Sequence, residues 1–123
     1  MKDWPEMVTD LTAQLRDLRG GVPDVMKAFA GMAQAATAPK ALDAKAKELI
    51  ALAIAVAIRC DDCIAFHVKA ARHAGASHDE VLEALGMAIY MGAGPSVMYA
   101  THALEAYGQF DGQAAVKGTV AAA

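Results

Sequence analysis

Cys60 and Cys63 are the only two thiols in this 123-residue chain, and they stand three residues apart. In a chain otherwise free of cysteine, C-x-x-C spacing points to redox chemistry or metal binding rather than to a structural staple. His67 follows Cys63 by four residues. On a continuing helix, positions i, i+3 and i+7 project from nearly one face, which brings Cys60, Cys63 and His67 within reach of one another. A thiol is a poor nucleophile until it loses its proton, and an adjacent imidazole can accept that proton. The second thiol can then resolve a sulfenic acid or mixed disulfide into an intramolecular disulfide. If Asp61 and Asp62 form the entry to the helix, the thiols sit at its N-terminal end, where a thiolate is stabilised.

Glu48 is the fourth candidate. On one straight helix it would lie about 18 Å from Cys60. It joins the site only if the chain turns back near Arg59–Asp62, and there it could orient the His67 ring or pass it a proton. Asp61 and Asp62 work against the thiols, because neighbouring negative charges oppose thiolate formation. A zinc site built from Cys60, Cys63, His67 and His73 is geometrically poor. Structural zinc usually draws two ligand pairs from separate elements, and His73 lies about 15 Å beyond Cys63 along a straight helix. His73, His78 and His102 have no partner at readable spacing and read as surface or capping residues.

Six helical segments are expected to position these groups. The first runs from Trp4 to Leu18, with Met7, Leu11, Leu15 and Leu18 at helical spacing, and ends at Gly20-Gly21. Pro23-Asp24 opens the second, whose expected buried face is Val25, Met26, Phe29 and Met32; Thr37-Ala38-Pro39 breaks it. The third begins near Asp43 and carries Glu48 into an apolar run, Leu49 to Ile58, expected at the centre of the domain. The fourth carries Cys63, His67 and His73 and stops at Gly75. Ser77-His78-Asp79-Glu80 reads as a capping box opening the fifth, with Val81, Leu82, Leu85 and Ile89 inward. That helix ends at Gly92-Ala93-Gly94-Pro95, and Ser96 is expected to cap a sixth running to about Tyr107. Residues 112–123 read as a frayed tail on a single 1–123 domain whose core spans about 22–107.

Composition agrees with packed helices: 56% of residues are apolar, aromatics are only 6%, and the β-branched and aromatic enrichment of strands is missing. A net charge of −3 without a basic patch argues against nucleic acid as a partner. The Leu49–Ile58 run is too short to span a membrane, and the N-terminus lacks the apolar run of a signal peptide. The expected setting is the reducing cytoplasm.

The pattern Glu48-x11-Cys60-x2-Cys63-x3-His67 resembles the signature of the alkylhydroperoxidase D (AhpD-like) branch of the carboxymuconolactone decarboxylase superfamily. Flanking text agrees: Val22-Pro23 before a helix, Ala44-Lys45-Ala46-Lys47-Glu48-Leu49 leading into the apolar run, and Ala74-Gly75-Ala76-Ser77 before an acidic helix start. The resemblance covers roughly Val22 to Tyr107. It implies an all-α, oligomeric fold, a homo-oligomer of three or six copies. It also implies that Cys60 and Cys63 form the redox pair, with Glu48 and His67 as the proton relay that activates one thiol. The implied substrate is a hydroperoxide or a partner disulfide. No bound cofactor is implied; an external dithiol reductant, lipoyl-type or thioredoxin-like, would reset the pair. His67 follows Cys63 by one turn, which favours Cys63 as the attacking thiol. Some relatives carry a histidine or a small residue between the cysteines, where this chain has Asp61 and Asp62. Two other readings stand beside this one: a decarboxylase acting on a cyclic lactone acid, and a non-catalytic metal-binding or assembly module.

Overall fold

The computed structural model of the chain describes residues 2–117 and the side chains of residues 2–110; among these, every regular element is an α-helix. Helix α1 (Trp4–Gly21) starts where the Asp3 carboxylate accepts from the Glu6 amide at 3.0 Å. Helix α2 (Pro23–Thr37) opens on proline, which fits a position whose amide has no intrahelical acceptor. Asp43 caps α3 (Ala44–Ala57) by accepting from the Ala46 amide at 2.8 Å. Helix α4 (Asp61–His73) is capped by Cys60. The expected capping box opens α5 (His78–Lys117): the Glu80 amide donates to Ser77 Oγ at 3.1 Å, and the Ser77 amide donates to Glu80 Oε1 at 2.9 Å.

Helix α5 changes direction at Ala93, whose backbone (φ 56°, ψ −141°) leaves the helical region. This is the break expected at Gly92–Pro95, so α5 is two helical limbs joined end to end. Gly92 suits the close approach there: a Cβ at that position would lie 2.0 Å from Ser96 Oγ and 3.1 Å from Ser96 Cβ, so Ser96 would have to shift. Ser96 does not cap the second limb, contrary to expectation. Its hydroxyl is buried and finds no hydrogen-bond partner among the described residues. Backbone helix also continues through residues 112–117, where a frayed tail was expected; residues 118–123 lie outside the described part.

The core is built from Trp4 and Val8 of α1, Leu52, Ala55 and Val56 of α3, Ile64, Val68 and Ala71 of α4, and a row on both limbs of α5. That row includes Val81, Leu85, Ala88, Ala100, Ala103 and Ala106. Alanine at these α5 positions lets neighbouring helices approach closely. By length and composition α5 could cross a membrane, a test that core helices of soluble proteins also pass.

Four expectations about the core need correction. On α1 the buried residues are Trp4 and Val8, and Leu18 is exposed. On α2 nothing is buried: Val25, Phe29 and Met32 are 65%, 57% and 61% exposed. Helical periodicity identified an apolar face on α2 correctly, but among the described residues no other part of the chain buries it. On α3 only one side of the apolar run faces inward, leaving Ile50, Ile54 and Ile58 exposed. Likewise Leu82 of α5 is exposed while Val81 and Leu85 are buried.

Candidate active site

The end of α3 decides where the site forms. Its last turn closes with the Arg59 amide on Val56 O (3.2 Å) and the Cys60 amide on Ala55 O (3.0 Å), Arg59 standing at φ 62°. This six-to-one and five-to-two pairing is a Schellman closure, which needs a left-handed residue just past the helix end. The same closure ends α4, with the Ala76 amide on Ala71 O and Gly75 in the left-handed position. Glycine takes that conformation freely; an arginine does so at a cost of about 1–2 kcal/mol. The turn at Arg59 folds α4 back along α3, the reversal that Glu48 requires.

Glu48 and His67 do meet. Nδ1 of His67 lies 2.7 Å from Glu48 Oε1. An ionised carboxylate can only accept, so Nδ1 carries the proton and Nε2 remains the basic nitrogen. The two side chains are 16% and 34% exposed for Glu48 and His67, so the pair is held in place yet open to proton exchange with water.

Cys60 and Cys63 are joined by a disulfide, their Cα atoms 5.2 Å apart. Cys60 is not on the helix itself but at its N-cap, in extended conformation (φ −111°, ψ 94°). Its sulfur accepts from the Cys63 amide at 3.2 Å. The two sulfurs are therefore inequivalent. Cys60 Sγ sits where an amide and the positive end of α4 stabilise negative charge. Cys63 lies one turn before His67, a spacing that sets Cβ atoms about 5–6 Å apart.

Asp61 is not a bare charge beside the thiols. Its carboxylate accepts from His102 Nδ1 at 2.7 Å and from the Lys2 ammonium. Burial alone would push the Asp61 carboxyl up, but these two hydrogen bonds outweigh it and hold the group below the usual aspartate range. His102 therefore has a partner, against the expectation that it is a surface or capping residue. Its ring also packs at a tilt against Tyr99 and Trp4, at centroid distances of 4.9 and 5.9 Å. No local signal reveals this contact, because Asp61 and His102 are 41 residues apart. Asp62 is exposed, as are His73 and His78.

Comparison with known proteins gives this arrangement a context. Residues 23–106 match the profile of the Carboxymuconolactone decarboxylase family. An uncharacterised protein of Cupriavidus necator is 41% identical over 102 residues, covering 83% of this chain and 90% of that protein. The crystal structure of a carboxymuconolactone decarboxylase family protein from Legionella pneumophila is 48% identical and superposes with a TM-score of 0.86, over 89% of this chain and 98% of that one. A family member from Thermotoga maritima, for which a part in the antioxidative response has been suggested, is 28% identical with a TM-score of 0.80, over 91% of this chain and 98% of that one.

Proposed function

We propose, for a chain that belongs to the carboxymuconolactone decarboxylase family, the activity of a thiol–disulfide oxidoreductase that reduces hydroperoxides at the expense of a dithiol. The observation that carries this reading is a disulfide capping α4 with a carboxylate-held imidazole one turn further along the same helix. Nε2 of His67 takes the proton of Cys63, and the thiolate attacks the outer peroxide oxygen. The O–O bond breaks, an alcohol leaves with one proton, and Cys63 becomes a sulfenic acid. Cys60, favoured as a thiolate by its N-cap position, attacks that sulfur and displaces water, closing the disulfide. An external dithiol, lipoyl-type or thioredoxin-like, then reduces the pair and is itself oxidised to a disulfide. The suggested antioxidative role of the Thermotoga maritima relative agrees with this reading. Decarboxylation of a lactone acid has no use for two thiols.

The test is a coupled assay in which the reduced protein is given an organic hydroperoxide and a small dithiol. One alcohol released per dithiol oxidised, at a rate proportional to protein, is the expected result. Dithiol oxidation no faster than without protein would overturn the reading.

The same proposal includes a homo-oligomer of three or six copies working in the reducing cytoplasm. Its support is the uncovered apolar surface on α2 and α3, continued on α5 by Tyr90 and Met91 at 79% and 76% exposure. A single chain of this size leaving such faces in water would aggregate. Sedimentation at micromolar concentration should return a multiple of the chain mass. A stable monomer would contradict the assembly.

A further inference from the structure

We propose that His102 is a positioning residue that sets the redox potential of the Cys60–Cys63 pair by holding the charge of Asp61. The inference rests on the redox reading above and adds a group that the peroxide chemistry itself does not use. Asp61 directly follows Cys60 and is the first residue of α4. Any charge it leaves uncompensated stands beside the sulfur that must become an anion.

The device that compensates it is built from the two most distant parts of the described chain. Trp4, fully buried, donates its indole N–H to Glu105 Oε1 at 2.7 Å and its amide to Gln109 Oε1 at 2.6 Å. Gln109 Nε2 donates back to Lys2 O at 2.6 Å, and the Lys2 amide donates to Glu105 at 3.2 Å. The indole hydrogen bond is the main reason the Glu105 carboxyl stays below the usual glutamate range. The segment before α1 is thereby zipped to the second limb of α5. That zipper places Lys2 and His102 together on Asp61, with the His102 ring flanked by Trp4 and Tyr99. The cluster shares only α4 with the Glu48–His67 pair: Asp61 opens that helix, and its two donors come from α5 and from the segment before α1.

The step it acts on is the reduction of the disulfide. A thiolate of the partner dithiol attacks Cys63 Sγ; the Sγ–Sγ bond breaks and its electron pair leaves on Cys60 Sγ. The partner's second thiolate then attacks the mixed disulfide at the partner's own sulfur, closes the partner's disulfide and releases Cys63, and the pair takes up protons. Two electrons pass from partner to protein. Cys60 leaves as an anion next to Asp61, so donors on that carboxylate favour the reduced form.

The experiment is the equilibrium of the purified protein with glutathione at pH 7, read by counting thiols. His102→Phe keeps a ring between Trp4 and Tyr99 but removes the donor to Asp61. The equilibrium constant for reduction should fall roughly three- to tenfold, a tenfold change being about 30 mV. His102→Asn, whose amide can donate from near the position of Nδ1, should restore most of it. Asp61→Asn should shift the constant in the opposite direction, and His102→Phe should then have no further effect. An unchanged constant in His102→Phe, or an equal shift with Asp61→Asn present, would overturn the inference. If His102→Phe does not fold, a fall in the Asp61→Asn constant would overturn it instead. A wild-type pair that exchanges with no thiol at all would overturn the redox reading itself, which is a separate failure.

Discussion

Cys60→Ser and Cys63→Ser should each lower dithiol-dependent hydroperoxide turnover by roughly a thousandfold or more, because each removes an atom that forms a bond in the cycle. The two variants should fail differently. Cys60→Ser keeps Cys63 beside His67 and can still be oxidised once, so a sulfenic acid should accumulate on Cys63 and be trapped by a dione reagent. Cys63→Ser leaves only the N-cap sulfur, one turn farther from the imidazole, and should give neither turnover nor a rapid stoichiometric burst. The asymmetry follows from the positions of the sulfurs: one accepts from the Cys63 amide at the cap, and the other is followed by His67 at helical spacing. Rapid sulfenic acid formation at Cys60 in Cys63→Ser would reverse the assigned order of attack.

The second large effect belongs to the Glu48–His67 pair. His67→Gln removes the base and should slow oxidation of Cys63 by about 10²- to 10⁴-fold, the usual worth of positioned proton transfer. Glu48→Gln is milder, about ten- to a hundredfold, since the amide oxygen still accepts from Nδ1 and holds the ring while the charge is lost. The double variant should be little worse than His67→Gln, because Glu48 acts through the imidazole. Raising the pH until the thiol ionises without help should recover much of the loss in all three. Stopped-flow oxidation of the reduced protein from pH 6 to 10 reads these rates. Equal, additive losses that persist at high pH would mean that the pair serves packing rather than proton transfer.

How much of this was legible in the sequence depends on the range of the interaction. Local signals sufficed for the helix starts at Asp43 and Ser77, each a side-chain oxygen meeting an amide three residues on. The chemistry-bearing residues were legible from spacing, and the reversal at Arg59 followed from asking how Glu48 could reach them. The means of that reversal was hidden, because an arginine does not advertise a left-handed backbone as Gly75 does. The sequence marked α2 and α3 as apolar, yet a pattern says only that a face is apolar: among the described residues nothing buries that of α2, and only one side of α3 is covered. Ser96 looked like a cap because it follows Gly-Pro, whereas its hydroxyl is buried next to Gly92. The Lys2–Asp61–His102 cluster was beyond reach for a different reason. Its members come from α4, α5 and the segment before α1, and the folded packing of Trp4 against α5 joins them.

That cluster also answers the difficulty raised by two carboxylates between the cysteines. Asp61 is compensated by Lys2 and His102, and Asp62 faces solvent, where its charge is screened.

The central claim is that the two thiols act as one redox unit, and one measurement addresses it directly. The fully reduced protein is mixed with one equivalent of organic hydroperoxide, its free thiols are counted, and the peptide bearing residues 60–63 is weighed. Loss of both thiols, a two-hydrogen decrease in that peptide, and full recovery on adding a dithiol is the predicted result. Two thiols still present, or oxidation that stops at a sulfonic acid which no dithiol reverses, would contradict the account.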